Sequence, residues 1–189
     1  MAVTRDQILA NLCKAYIMEV ETMANYLAAS HNLDGVRADF IKQALATDIQ
    51  GELTHATQLA NRIKQLDGTV PGSFELKMTQ KTLQPLPDTT DVVSVIRGVL
   101  DAEEDAITHY NALIKLTEGT DYVTQDLAIT ILADEEGHRQ QFQGYLKEYM
   151  KKYDPEVLKD GWNVVDGEEI FYISNPGLGL WAYEGRFKD

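Results

Sequence analysis

The sequence is nearly free of cysteine, with only Cys13 among 189 residues. A single cysteine excludes an internal disulfide framework, a CxxC redox pair and a cysteine-rich metal ribbon. Long apolar runs are also missing, because no stretch approaches the roughly 20 residues of a membrane-spanning helix. The N-terminus lacks the basic and apolar segments of a secretory signal. We therefore expect a cytoplasmic protein that does not contact a membrane.

Basic residues are scarce as well: 17 Lys and Arg stand against 30 Asp and Glu, for a net charge of -13. Such a surface repels nucleic-acid phosphates, so we expect no nucleic-acid partner. The same charge can attract cations. A hydrophobic content of 44% is typical of one globular domain with a real core.

Four long stretches repeat apolar residues at helical spacing. They cover about residues 4–32, a second stretch that ends near Leu66, residues 90–117 and residues 121–151. Residues 67–90 break the pattern with three prolines and are long enough to run the full length of a helix. The sequence therefore predicts an all-α four-helix bundle with a long crossover between helices 2 and 3.

The end of the chain differs from the rest. We assign residues 1–151 to the bundle and residues 152–189 to an irregular C-terminal tail rich in glycine, proline and aromatic residues. Within it, Glu169–Ile173 and Leu180–Tyr183 are compatible with a short β-hairpin. We expect the tail to pack on the bundle or on a neighbouring subunit.

A signature of E-x6-Y followed by E-x-x-H occurs twice along the helices. Its first copy consists of Glu19, Tyr26, Glu52 and His55, and its second of Glu103, Tyr110, Glu135 and His138. Each glutamate interrupts an apolar stripe, where an unpaired charge costs several kcal/mol. Cations would offset that cost.

The spacing places the four glutamates at one level of the bundle. Glu19 lies 16 residues before the turn glycine Gly35, and Glu52 lies 17 after it. Glu103 and Glu135 each lie 16 residues from Gly119. Equal counts on both sides of a turn mean equal heights in an antiparallel hairpin, so we predict one dinuclear centre near the middle of the helices.

The predicted metal ligands, which are also the predicted catalytic residues, are four carboxylates and two imidazoles: Glu19, Glu52, His55, Glu103, Glu135 and His138. Oxygen-rich ligation with two imidazoles suits iron, with manganese as the second choice. Tyr26 and Tyr110 lie two turns from their glutamates, where their hydroxyls can hydrogen-bond to ligands. Asp48, one turn before Glu52, fits either a station for arriving cations or a surface charge.

At this point residues 4–150 resemble the ferritin-like superfamily, which includes bacterioferritins and Dps-like miniferritins. The most specific part is Asp121–Leu127 leading into Ile131–His138, which resembles the fourth-helix signature of bacterioferritins. The resemblance implies Fe(II) oxidation by O2 or H2O2 and storage of ferric mineral in a shell of 12 or 24 subunits. By the same resemblance, Glu52 and Glu135 would bridge the two metal ions. Glu19 and Glu103 would be terminal carboxylates, and His55 and His138 would each cap one ion.

The chain departs from these families in three places. Leu53 stands where bacterioferritins carry their haem-binding methionine, so haem is not expected. The tail is longer than their short fifth helix. The lysine-rich arm of many Dps proteins is missing, and one chain carries the full ligand set, whereas Dps proteins share the site between subunits.

These features favour a ferroxidase and iron-storage protein that binds Fe(II) and forms a homo-oligomer. Two alternatives stay open. One is a peroxide-detoxifying di-iron or di-manganese protein similar to rubrerythrin or manganese catalase. The other is a non-enzymatic scaffold or an encapsulated cargo protein, for which residues 176–180 weakly resemble a shell-loading peptide.

Overall fold

The computed structural model describes residues 3–150 with their side chains, and the backbone of residues 162–165, 168–175 and 179–182. The chain forms two compact units, residues 1–150 and 151–189. The first unit contains four long helices: α1 (Arg5–Asn32), α2 (Asp39–Gln65), α3 (Val92–Thr117) and α4 (Tyr122–Tyr149). The predicted all-α four-helix bundle, with a long crossover between α2 and α3, is confirmed.

Local sequence signals begin and end these helices. α1 opens with a capping box in which Thr4 and Gln7 each accept the other's backbone N–H. Asp121 caps α4 by accepting a backbone N–H of its first turn. Gly35 and Gly119 have φ angles of 91° and 68°, a left-handed conformation that glycine adopts at no steric cost. Both hairpin turns therefore lie where the sequence predicts them.

The apolar core is divided into two clusters at opposite ends of the bundle. One cluster packs the α1–α2 turn against the start of α3 and the end of α4, with Tyr26, Leu33, Ile41, Leu45, Ile96 and Phe142. The other packs the opposite helix ends, with Leu12, Leu59, Ile63, Leu113 and Ile131. A charged layer separates the clusters at mid-helix. Of the helices in residues 3–150, none is long and apolar enough to cross a membrane.

The crossover between α2 and α3 is tied to the side of the bundle by Gln80. Its backbone N–H donates to Glu21 Oε1 at 2.7 Å, and its side chain bonds to Thr22 at 2.6 Å and to Asn25 at 2.8 Å. The crossover also packs directly on α3, where a Cβ at Gly98 would lie 3.0 Å from a crossover carbonyl oxygen. It therefore covers the α1 and α3 side of the bundle.

The second unit contains three strands, β1 (Trp162–Val165), β2 (Glu168–Asn175) and β3 (Gly179–Ala182), paired antiparallel in that order. β2 includes the first segment considered for a hairpin, Glu169–Ile173, and β3 includes Leu180–Ala182 of the second. β1 was not predicted, although the sequence carries a hairpin signal, Asp166–Gly167, directly before β2. Residues 176–178 of the cargo-like segment lie outside the described residues, as do the side chains that would make the expected contacts of the tail.

Candidate metal centre

The charged layer at mid-helix consists of side chains from all four helices. The glutamates are almost completely buried, with 1–2% of their surface exposed, and His55 is 4% exposed. They occupy core-facing positions because the same helical stripe that carries the apolar residues continues through them. The layer contains Glu19, Glu52, His55, Glu103, Glu135 and His138, which are the six residues predicted from the sequence.

The six residues form two groups of four that have two members in common. The first group is Glu19, Glu52, His55 and Glu135; the second is Glu52, Glu103, Glu135 and His138. Within each group, one potential ligand atom per residue lies within 4.8 Å of all the others. Two neighbouring cations held by shared carboxylates would satisfy this arrangement.

His55 is oriented by carboxylates on both edges of its ring. Nδ1 lies 3.0 Å from Glu135 Oε1 and 3.5 Å from Glu19 Oε2. On the outer edge, Nε2 lies 3.2 Å from Oδ2 of Asp134. The outer carboxylate holds the ring with Nδ1 toward the centre, as metal-binding histidines require.

His138 faces the second group with the same ring nitrogen. Its Nδ1 lies 3.7 Å from Glu135, 3.8 Å from Glu52 and 3.9 Å from Glu103. Four buried atoms of the layer make no well-aligned hydrogen bond to any described residue: Nδ1 of both imidazoles, Glu52 Oε1 and Glu135 Oε1. Buried polar atoms without partners are rare, and here they converge on one point, which fits a metal-binding centre.

The two tyrosines connect α1 and α3 across the bundle. The Tyr26 hydroxyl donates to Oε1 of Glu103, and the Tyr110 hydroxyl donates to Oε1 of Glu19. Each tyrosine therefore bonds to the glutamate of the other signature copy. Burial and the adjacent carboxylate raise the pKa of each tyrosine well above its usual range, so both stay protonated donors.

Burial and mutual repulsion make full ionisation of the four carboxylates costly. Burial raises the pKa of Glu52 well above its usual range, and Glu19 adds to this; burial and Glu135 do the same to the pKa of Glu103. For Glu135, contacts with both imidazoles outweigh burial and lower its pKa to about 2. Contacts with Glu135 and Glu19 outweigh burial at His55 and raise its pKa to about 10. Without a cation, the cluster therefore neutralises itself by holding protons.

No lysine or arginine offsets this charge from within the bundle. In residues 3–150, the only basic groups within 4.0 Å of the four carboxylates are the two imidazoles. The centre contains a small space of about 10 Å³, lined also by Met18, Thr22, Ala102 and Ala106. The donor set and the missing counter-charge both fit divalent cations.

Sequence reasoning gave Asp134 no role, although it contacts His55. It is 59% exposed and lies off the apolar stripe, so periodicity carries no signal for it. Of the unmatched histidines, His109 is buried and its Nε2 lies 3.0 Å from the Asn11 carbonyl oxygen, a bond that accounts for it structurally. His31 lies at the exposed end of α1.

The bundle is similar to proteins of one family. A family model described as a ferritin-like domain matches residues 9–151. The DNA protection during starvation protein of Pyrococcus furiosus is 26% identical over 143 residues, which cover 75% of this chain and 77% of that protein.

Solved structures share the fold. The bacterioferritin-related protein of Bacteroides fragilis, described as a dodecameric thioferritin, has a TM-score of 0.69 and 26% identity, covering 84% of this chain and 91% of that chain. A ferritin-like diiron-carboxylate protein of Bacillus anthracis has a TM-score of 0.65 at 20% identity, and the match covers 77% of this chain and 99% of that chain. A mutant Dps1 of Mycobacterium smegmatis has a TM-score of 0.67 at 16% identity, and the match covers 75% of this chain and 96% of that chain.

Proposed function

The chain belongs to the ferritin-like family, and from this membership we propose that it is a ferroxidase and iron-storage protein. Its substrate is Fe(II), which it binds as a pair of ions within one subunit. The observation that carries the proposal is the division of six residues, five of them buried, into two groups that share Glu52 and Glu135. Shared carboxylates bring two metal ions about 3.5–4 Å apart, a spacing at which both can react with one oxidant.

The six ligands have distinct tasks in this proposal. Glu52 and Glu135 bridge the two ions, while His55 and His138 each bind one ion through the unpartnered Nδ1. Glu19 and Glu103 are the terminal carboxylates, and the tyrosine hydroxyls hold one oxygen of each in place. Manganese fits the same donor set.

The reaction balances with two Fe(II) ions per oxidant. Each ion loses one electron, and the two electrons reduce O2 to H2O2 with uptake of two protons. With H2O2 as the oxidant, the O–O bond breaks and two water molecules form, again with two protons taken up. The protein contributes by positioning the reactants. Groups from four rigid helices hold both Fe(II) ions, so neither ion has to diffuse to the other.

We propose that the protein works as a homo-oligomer that stores the oxidised iron. The Bacteroides fragilis relative, described as dodecameric, supports an assembly of this kind. The net charge of -13 supports the concentration of Fe(II) at the protein surface. No haem is proposed, because Leu53 offers no ligand to haem iron.

Aerobic Fe(II) titration tests the assignment. We expect a fast oxidation phase that consumes two Fe(II) per chain and disappears in Glu52→Gln and His138→Ala. Glu136→Gln is the matched control, because Glu136 is an exposed neighbour of Glu135 outside both ligand groups. Normal fast oxidation in Glu52→Gln and His138→Ala would refute the centre.

A second candidate is peroxide detoxification at the same centre; the likeness to a Pyrococcus furiosus protein named for DNA protection during starvation supports a protective role in general. Here H2O2 would be the preferred oxidant, and storage of iron would be secondary. Rapid mixing of Fe(II)-loaded protein with O2 or with H2O2 separates the two functions. A much faster reaction with H2O2, without iron accumulation, favours protection; absence of any turnover favours the scaffold or cargo alternative.

A further inference from the structure

The small space inside the centre lies on its α1 and α3 side. Besides the four glutamates, its walls are Met18 and Thr22 from α1 and Ala102 and Ala106 from α3, and neither imidazole lines it. A volume of about 10 Å³ accommodates roughly one water-sized group. The space therefore has room for one oxygen atom of an oxidant beside ions that the glutamates bind.

The two walls of this space differ in polarity. Thr22 lies three residues after Glu19, and Ala106 lies three residues after Glu103, so the two occupy equivalent positions in the two signature copies. Both line the space, yet only Thr22 carries a hydroxyl group. Of the described residues that line the space, Thr22 is the only polar one besides the glutamates. The centre therefore has one neutral hydrogen-bonding group, and it lies on the α1 side.

Thr22 also bonds differently from the other threonines inside the helices. A threonine within a helix commonly donates its hydroxyl proton to the carbonyl oxygen four residues earlier. The threonines that do so here are Thr47, Thr54, Thr57, Thr117 and Thr130. Among the residues that the structure describes, none accepts the proton of Thr22, although this residue is only 8% exposed. Its hydroxyl oxygen instead accepts an N–H of the Gln80 side chain, with Nε2 at 2.6 Å.

The crossover holds Gln80 in the orientation that makes it a donor to Thr22. The side-chain N–H of Asn25 donates to Oε1 of Gln80 at 2.8 Å, so the amide oxygen is occupied and Nε2 is the atom that faces the hydroxyl. Glu21 fixes the backbone of the same residue by accepting its N–H at 2.7 Å. Because an amide nitrogen donates and does not accept, the proton of Thr22 stays available for another acceptor.

We propose that the Thr22 hydroxyl donates a hydrogen bond to the oxidant in this space, and that Gln80 of the crossover sets the direction of that bond. The inference rests on the proposed ferroxidase function, which brings an oxidant to the centre. Negative charge develops on the oxidant as electrons from two Fe(II) ions reach it, and a fixed donor stabilises that charge. Thr22 is then a catalytic residue and Gln80 a positioning residue, so the crossover takes part in the reaction.

Oxidation of protein that is already loaded with Fe(II) tests the role of the hydroxyl. Each variant is loaded anaerobically with two Fe(II) per chain and then mixed rapidly with O2. Thr22→Val keeps the shape of the side chain without the hydroxyl, and we expect it to slow oxidation about 10- to 100-fold, as for loss of a hydrogen bond to a charged group. Thr22→Ser restores the donor and should react at nearly the wild-type rate.

Thr130→Val is the matched control, because Thr130 is an exposed residue of α4 that donates to its own helix. It should react as wild type, and all variants should bind two Co(II) per chain, since Thr22 belongs to neither ligand group. Gln80→Leu should slow oxidation less than Thr22→Val does. The double variant should be no slower than Thr22→Val alone, because Gln80 acts through Thr22. Additive slowing in the double variant would overturn the positioning role of Gln80.

Nitric oxide provides a readout that does not depend on turnover. It is a diatomic ligand of Fe(II), and a hydrogen bond to its oxygen lowers the N–O stretching frequency. Infrared spectra of the Fe(II)-loaded protein with nitric oxide should show a higher frequency in Thr22→Val than in the wild type and Thr22→Ser. If the wild type shows no fast oxidation but this difference is present, the ferroxidase proposal fails while the hydrogen bond stands. Equal frequencies would overturn the hydrogen bond, and equal oxidation rates would overturn its role in the reaction.

Discussion

At the scale of single residues, Asp134 orients His55, which is one of the six proposed metal ligands. Its carboxylate lies 3.2 Å from Nε2 of His55, so the proton of a neutral imidazole is favoured on that nitrogen. Nδ1 is then free to bind a metal. Because Asp134 is 59% exposed, its contribution lies in orientation rather than in the burial of charge.

Asp134→Ala should therefore weaken one cation site and leave the other intact. Loss of such an outer partner typically lowers metal affinity by about 10- to 100-fold. Anaerobic Co(II) titration followed by visible absorption should show one weakened and one unchanged tight equivalent. The melting temperature of the metal-free protein should stay the same.

Asp126→Ala, at an equally solvent-facing position of α4, serves as the comparison. A uniform loss of affinity at both sites would contradict a specific role for Asp134 in orienting His55.

At the scale of elements, hydrogen bonds from α1 hold the crossover between α2 and α3 in place. Glu21 is only 4% exposed, yet it takes no part in either ligand group. Its Oε1 accepts the backbone N–H of Gln80, and the Gln80 side chain is held by Thr22 and Asn25. These bonds satisfy backbone and side-chain groups of a segment that has no regular structure of its own.

Removing the acceptor in Glu21→Ala should loosen the crossover at this point. The loss of one such bond, about 1.4 kcal/mol, corresponds to roughly tenfold faster exchange of the Gln80 amide hydrogen if exchange proceeds by local opening. Hydrogen exchange followed by NMR or mass spectrometry measures it.

Glu21→Gln is the control because its amide oxygen can still accept the Gln80 N–H. Equal exchange in Glu21→Ala and Glu21→Gln would show that the crossover is held by packing on Gly98 and not by this bond.

At the scale of the whole bundle, stability and cation binding are linked. Four buried carboxylates separate the two apolar clusters, so the metal-free fold has repulsive charges or excess protons at its centre. Any cation that binds only the folded state adds to its stability, by about 2.7 kcal/mol at a concentration of one hundred times Kd.

Co(II) should raise the melting temperature, and the gain should shrink as the pH falls from about 8 to about 6. The sign follows from the raised pKa values of Glu52, Glu103 and His55, which keep these groups protonated to higher pH in the metal-free fold than in the unfolded chain. The cation must displace these protons, so acid weakens its binding. Glu135, with a pKa of about 2, releases none.

Thermal melts with and without Co(II) across this pH range measure the effect, and Glu52→Gln should lose most of the metal-dependent gain. A gain in melting temperature that does not change with pH would contradict proton displacement from these groups.

Much of the bundle was predictable because its signals are local. The capping box at Thr4, the cap at Asp121 and the turns at Gly35 and Gly119 act within a few residues of themselves. β1 was missed although its signal is also local, since the pair Asp166–Gly167 between two apolar segments is typical of a hairpin.

The sequence by itself determined the four helices and the common height of the acidic residues, because helical spacing and equal distances from the two turns do not depend on distant contacts. Only the tertiary structure decided which groups meet: Tyr26 bonds to Glu103 and Tyr110 to Glu19 because α1 and α3 lie side by side. It also decided that Asp48 is buried and not a surface charge, since burial depends on how α2 and α4 pack. Partners far apart in sequence are chosen by helix packing, which spacing along one helix cannot specify.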